Sequence, residues 1–159
     1  FDKNKNVTPV IQALQILGVP EEQVLMVGSE SVGWGNYQGV LTDDNLNKVY
    51  NSCLFSFSMG EIEGLNLVPI EAASVGCIPV INSKLTTREE LFPSDIFYEY
   101  NSVNENPQTI VNFISRFYGP LDIGVDFKRR LDKHYKDVLA RKFYKVEVAR
   151  RIFEIYEKL

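Results

Sequence analysis

Little in this chain is available for disulfide, metal or nucleic-acid chemistry. It has two cysteines, one histidine and one tryptophan among 159 residues. Cys53 and Cys77 are too few for a disulfide scaffold, and both fall in apolar surroundings that suit reduced core residues. That usage, and the lack of a recognisable signal sequence, fits a cytoplasmic protein. The single histidine, His134, is set among Lys133, Tyr135 and Lys136 and reads as part of a solvated helix face. No dense Asp/His cluster argues for a metal set. Basic residues are outnumbered, 17 Lys and Arg against 21 Asp and Glu, for a net charge of −4 and an isoelectric point near 5.1. That balance argues against a nucleic-acid or anionic-membrane footprint. No apolar run approaches the ~20 residues of a membrane-spanning helix. Internal repeats and low-complexity stretches are absent as well. The chain opens at Phe1 rather than Met, which points to a processed or excised fragment.

What is present is an apolar content of 45%, enough for a real core in one domain of this length. The apolar residues alternate between two periods. Thr8-Pro9 followed by Val10, Ile11, Leu14 and Leu17 predicts a capped amphipathic helix, stopped by Gly18 and Pro20. A strand over 24–27 ends at Gly28. A surface turn follows, bearing Gly33, Trp34 and Gly35, and then a brief strand over 37–40; stacking of Trp34 on a base or sugar is the alternative use of that turn. Thr42 with Asp43 and Asp44 starts a second helix with Leu46, Val49 and Tyr50 inward. Apolar runs at 53–57 and 78–81 read as buried strands, with a helix-forming segment between them. A short helix in 83–91, a strand at 96–98, a helix opened by Asn106-Pro107, a charged helix from 122 and an amphipathic helix over 146–159 complete the chain. Strands alternating with helices through short connections predict an α/β fold, a doubly wound, mostly parallel sheet with helices on both faces.

The chemistry concentrates in one stretch, Glu63-Gly64-Leu65-Asn66-Leu67-Val68-Pro69-Ile70-Glu71. It lies between the strands at 53–57 and 78–81, so it spans the loop and the helix start of a βαβ unit, where ligands gather. Backbone N–H groups at Leu65 to Val68 would face an anion at the helix start, and a pyrophosphate is the natural guest. Pro69 fits a first turn, where its missing N–H does no harm. Glu71, one turn in, is placed to accept hydrogen bonds from a ribose diol, and Glu63 faces the loop mouth. For an isolated glutamate a solvent-facing charge or helix-dipole partner is the plainer reading. Glu61 is off the spacing.

This stretch resembles the E-G-[FL]-G-L-x-x-x-E-A signature of retaining glycosyltransferases of the GT-B fold, in the group called family 4. Gly76-Cys77-Ile78-Pro79-Val80-Ile81 resembles the G-x-P-V-I that follows it. Gly39-Val40 with Leu46, Tyr50 and Ser52, and Phe143-Tyr144 with Ala149 and Ile155-Tyr156, are similar to flanking parts of that family's C-terminal half. The resemblance implies that residues 1–159 are the single donor-binding, C-terminal domain, without the N-terminal acceptor domain. It implies transfer of a sugar, with retention, from a nucleotide-sugar donor such as a UDP- or GDP-sugar to an acceptor hydroxyl of a glycan, lipid or protein. No metal or other cofactor is implied, and membrane association would come only through the other half. By the same resemblance Glu71 holds the ribose. Glu63 binds the transferred sugar and stabilises charge at its anomeric carbon. Gly64, Leu65, Asn66, Leu67 and Val68 line the donor, and Val40 meets the base through its main chain. Phe1 and Lys5 fit the family's diphosphate-clamp pattern, in which Lys5 is the lysine and the arginine would fall before Phe1. Asn66 stands where the family has glycine; asparagine is the residue next most tolerant of positive φ. Two other readings remain: a GT-B-fold epimerase or phosphorylase-like enzyme, and a non-catalytic nucleotide-binding or interaction domain.

Overall fold

The computed structural model of the chain describes residues 5–60, 66–82, 92, 99–100, 106–118 and 123–140. The first helix, α1, spans Thr8–Ile16. Pro9 stands in its first turn, but Thr8 is already helical. Val7 takes the capping position with helical angles (φ −81°, ψ −17°), so no side chain caps the helix. A 3₁₀ turn, Glu21–Gln23, leads into β1, Leu25–Val27. Strand β2, Asn36–Gly39, runs parallel to it with Leu25 opposite Asn36. Helix α2, Asp43–Ser52, follows an extended Thr42 whose hydroxyl makes no cap bond; Asp43 and Asp44 still sit in the first turn, where the helix dipole favours them. Because α2 runs to Ser52, Cys53 is its C-cap and not part of a strand, and β3 covers Phe55–Ser58.

Helix α3, Leu67–Ser74, connects β3 to β4, Ile78–Asn82. It ends at a tight αL turn. The Gly76 N–H bonds the Ala73 carbonyl at 3.1 Å and the Cys77 N–H bonds the Ala72 carbonyl at 3.0 Å, with Gly76 at φ +78°. Helix α1 closes in the same way at Gly18. A last strand, β5, is described at Glu99–Tyr100. Helix α4, Gln108–Ser115, is opened by Asn106, whose Oδ1 accepts the Gln108 N–H at 2.9 Å across Pro107. Helix α5, Ile123–His134, continues into a π-helical turn, Tyr135–Leu139. The helices expected in 83–91 and 146–159 and the strand expected at 96–98 lie outside the described residues.

All described strand pairs are parallel. They form two groups, β1-β2 and β3-β4-β5, rather than one continuous ladder among the described residues. The connection through α2 carries the chain from one group to the other. Register is simple in the second group: Phe55 to Ser58 pair in turn with Ile78 to Ile81. Every residue of β4 is buried. Since neighbouring side chains in a strand point to opposite faces, that burial requires cover on both faces. Val10, Ala13 and Leu14 of α1, Ile70 and Ala73 of α3, Ile110, Val111, Phe113 and Ile114 of α4, and Phe127 and Leu131 of α5 share the core with Ile78, Val80 and Ile81. Phe117 joins this core through edge-on rings, 5.1 Å from Phe55, 5.2 Å from Phe113 and 5.3 Å from Phe127. Trp34 is half-buried against the same core rather than standing on an open surface turn, and His134 is half-buried rather than fully solvated.

Candidate functional site at the carboxyl ends of the strands

The described members of the expected site each stand at the end of a strand or the start of a helix. A helix between two parallel strands runs back against them, so it starts at their carboxyl ends. Helix α3 therefore begins just beyond the end of β3. Val40 directly follows the end of β2, and Lys5 stands three residues before the start of α1, the helix that leads to β1.

Asn66 is the N-cap of α3 by position, yet it makes no side-chain cap bond. Its carboxamide is turned inward, 5% exposed, and its Nδ2 donates to Ser58 Oγ at 2.6 Å. Its backbone is ordinary extended chain, φ −75° and ψ 104°. The position therefore does not call for a residue tolerant of positive φ, contrary to the expectation from the missing glycine. Pro69 sits in the first turn and is buried. Since Pro69 has no N–H, Leu67 and Val68 supply the free donors of the helix start, and both residues are exposed. The dipole of α3 adds partial positive charge there. This is the chemistry of an anion cradle.

Glu71 lies one turn along α3 and is exposed, as a ribose-binding carboxylate requires. Behind it, Tyr50 of α2 packs with Ala72 and Cys77 in a small second core, flanked by Leu46, Cys53 and Val75. Burial pushes the Tyr50 hydroxyl up from 10.0 to about 12, and the adjacent Glu71 carboxylate, by charge and by hydrogen bonding, adds to the effect. Burial likewise pushes the Cys77 thiol up from 9.0 to about 12, helped by Cys53 and opposed by Lys128. Both cysteines are free; Cys77 is an inert interior thiol rather than a reactive one.

Lys5 is exposed, just before α1. Asn6 beside it is the one described non-glycine residue at positive φ, +44°, and its Nδ2 is buried with no partner. A buried donor left unpaired is costly. Val40 is 79% exposed, so its side chain takes no part in the core and only its backbone and surface are on offer. Glu63, Gly64 and Leu65 lie outside the described residues. Three contributors escaped sequence reasoning: Ser58, Asn6 and Asn82, whose Nδ2 reaches the Met59 carbonyl at 3.0 Å from the buried end of β4. The signal for Asn82 was a polar residue directly behind the apolar run of β4. Among the described residues no group of three or more His, Cys, Asp or Glu side chains is placed to hold a metal ion, and no helix is long and apolar enough to cross a membrane.

No family model matches the sequence, and no curated protein matches it. In three dimensions the chain is similar to the sucrose-phosphate synthase of Thermosynechococcus elongatus. The TM-score is 0.77 at 13% sequence identity, over 99% of this chain and 44% of that one. The chain thus spans less than half the length of that protein. At this identity the likeness is one of fold: parallel strands with helices packed on them, in the Rossmann-like arrangement of one half of a GT-B structure.

Proposed function

We propose that this chain is the nucleotide-sugar-binding half of a retaining GT-B glycosyltransferase. The observation that carries the reading is the start of α3. It stands at the carboxyl end of a parallel strand, Leu67 and Val68 of its first turn are exposed, and Glu71 is presented one turn further on. That arrangement suits a nucleoside diphosphate: N–H donors and helix dipole for the phosphates, a carboxylate for the ribose hydroxyls. The orphaned Nδ2 of Asn6 and the cation of Lys5, at the start of α1, suit the same anion. Val40 would meet the base through its main chain. Glu63 would bind the transferred sugar and stabilise positive charge growing at its anomeric carbon. Electrostatic stabilisation of the leaving diphosphate by lysine and helix start needs no metal. The fold neighbour, a sucrose-phosphate synthase, supports sugar transfer as the chemistry. Acceptor binding would fall to a second domain, so the chain alone is expected to bind donor but to turn it over little.

The test is calorimetry and thermal unfolding of this chain with UDP, GDP, ADP and their sugars. One nucleotide should stabilise the fold by mass action. Glu71→Ala and Lys5→Ala should each weaken that nucleotide by about tenfold or more, the scale of a lost hydrogen bond to a charged group. Stabilisation that survives both substitutions would place the ligand elsewhere, and no stabilisation at millimolar nucleotide would remove the reading.

A further inference from the structure

We infer that Asn66, with Ser58 and Asn82, forms a positioning device for the donor: two buried carboxamides fix the end of β3 from both sides and leave the first turn of α3 uncapped. The inference rests on the donor-binding reading above.

Two polar side chains in an apolar interior need a reason, because a buried carboxamide is costly unless it is bonded. Asn66 and Asn82 are the buried polar residues of the described chain, 5% and 0% exposed. Their bonds go to consecutive residues. Asn66 Nδ2 donates to Ser58 Oγ at 2.6 Å, and Asn82 Nδ2 donates to the Met59 carbonyl at 3.0 Å. Ser58 is the last residue of β3 and Met59 the first beyond it. One tie comes from the helix that follows the 60–65 segment and the other from the neighbouring strand β4. The end of β3 and the start of α3 are therefore held together.

The choice of asparagine at 66 is explained by this tie and not by backbone conformation, since φ is −75° and any residue could adopt it. Asparagine is among the best helix caps, and as a cap it would bond the N–H of the second or third helical residue. Here those are Val68 and Pro69, of which only Val68 has a donor. The carboxamide is turned away to Ser58, so the Val68 N–H is not taken. A capping side chain would compete with a phosphate for that donor. The tie to Ser58 fixes how far the start of α3 stands from the end of β3, and since Asn66 makes no cap bond the Val68 N–H has no such competitor. Glu71 rides on the same short helix, eight residues from Leu67 to Ser74, so its distance from the phosphate cradle is set at the same time.

The experiment uses the whole chain. Ser58→Ala, Ser58→Thr, Asn66→Ala and Asn66→Gly are compared with the parent for nucleotide affinity, each well below its own Tm, and for hydrogen exchange of the α3 amides. Ser58→Ala and Asn66→Ala should lose about tenfold in affinity and exchange the α3 amides faster while staying folded, the scale of one buried hydrogen bond. Asn66→Gly should behave like Asn66→Ala, and Ser58→Thr, which keeps the hydroxyl, should restore both readouts. Asn82→Ala removes the deepest tie and is the variant most prone to misfold, so the comparison is made at Ser58 and Asn66. If Glu71→Ala abolishes nucleotide binding while Ser58→Ala and Asn66→Ala bind and exchange as the parent does, the positioning device is overturned and the donor site stands. If the parent itself binds no nucleotide, the donor site is overturned, and the positioning role falls with it.

Discussion

The two strand groups share one hydrogen-bonding pattern and differ in almost everything around it. In β4 the side chains of Ile78, Val80 and Ile81 are fully buried, with paired strands on either side and helices over both faces. In β1 and β2, Val27 is 42% and Tyr37 40% exposed, and the register slips between Met26 and Val27. What ties this pair together is polar and near water. Gly35 N–H donates to Glu21 Oε1 at 2.9 Å, and the Tyr37 hydroxyl donates to the Gly28 carbonyl at 2.9 Å. Hydrogen bonds that exchange with water contribute little net, whereas buried apolar area contributes about 25 cal/mol per Å². Two parallel ladders of similar length thus carry unequal weight. The heavier one holds the frame under α3, where the candidate site is assembled. The lighter one presents the Val40 backbone at its rim and is the part expected to open first.

The largest test removes apolar volume from each group in turn. Ile81→Ala opens a cavity where nothing can collapse into it and should cost about 3–4 kcal/mol. That is a large part of the 5–15 kcal/mol typical of a domain. Met26→Ala, in half-buried β1, should cost about 1 kcal/mol, since part of that side chain is already in contact with water. Urea unfolding of the two variants measures both. Equal costs would erase the distinction between the groups.

A smaller test uses backbone alone. Gly76 and Gly39 both sit at positive φ, +78° and +71°, and a Cβ at either would meet nothing within 4 Å. Alanine at each therefore carries only the left-handed conformational penalty, about 1–2 kcal/mol. At Gly76, in the turn between α3 and β4, the whole penalty should appear in global stability. At Gly39 the pair can open locally, so global stability should fall by less than half as much while hydrogen exchange in β2 quickens. A full loss at Gly39 would show that β1-β2 unfolds only with the rest.

The heavier group was also the more legible. The apolar runs around Phe55 and Ile78, the Pro69 turn and the Gly76 stop are local signals, and the structure places β3, α3 and β4 within two residues of them. Capping was less legible. Thr8 and Thr42 carry the right side chains, but neither hydroxyl caps its helix: Thr8 lies inside α1 behind a helical Val7, and Thr42, though extended as a cap should be, makes no cap bond. Of the candidate site, sequence reading reached the placement of single residues: Glu71 is exposed on α3, and Lys5 precedes α1. The ties behind it were not legible. Asn82 bonds a residue 23 positions away, and Tyr50 meets Glu71 across the packing of two helices. No periodicity encodes such pairs. Asn66 shows the limit of residue-type reasoning, since tolerance of positive φ turned out to be irrelevant at an extended position.

The finest test reads the packing behind Glu71 through pH. Tyr50 and Cys77 keep their protons in the folded chain up to about 12, against 10.0 and 9.0 as free groups, chiefly because burial disfavours their anions. Between pH 9 and 12 the unfolded chain releases protons that the folded chain retains. Stability from this source is therefore complete below pH 9 and is lost as pH rises through that window, the cysteine contributing from 9 upward and the tyrosine from 10. Tyr50→Phe deletes the second contribution and keeps the ring in the small core with Ala72 and Cys77. Its stability, followed by chemical unfolding from pH 8 to 12, should match the parent's slope up to pH 10 and decline less steeply above it. Cys77→Ala should flatten the curve already from pH 9. Because Glu71 contributes to holding the Tyr50 proton, Glu71→Gln should leave the onset of the tyrosine limb near pH 10, set by the unfolded chain, and bring its upper end down from about 12. An unchanged limb in Glu71→Gln would mean that burial and Cys77 govern Tyr50, and that the charge of the candidate ribose carboxylate does not hold the tyrosine proton.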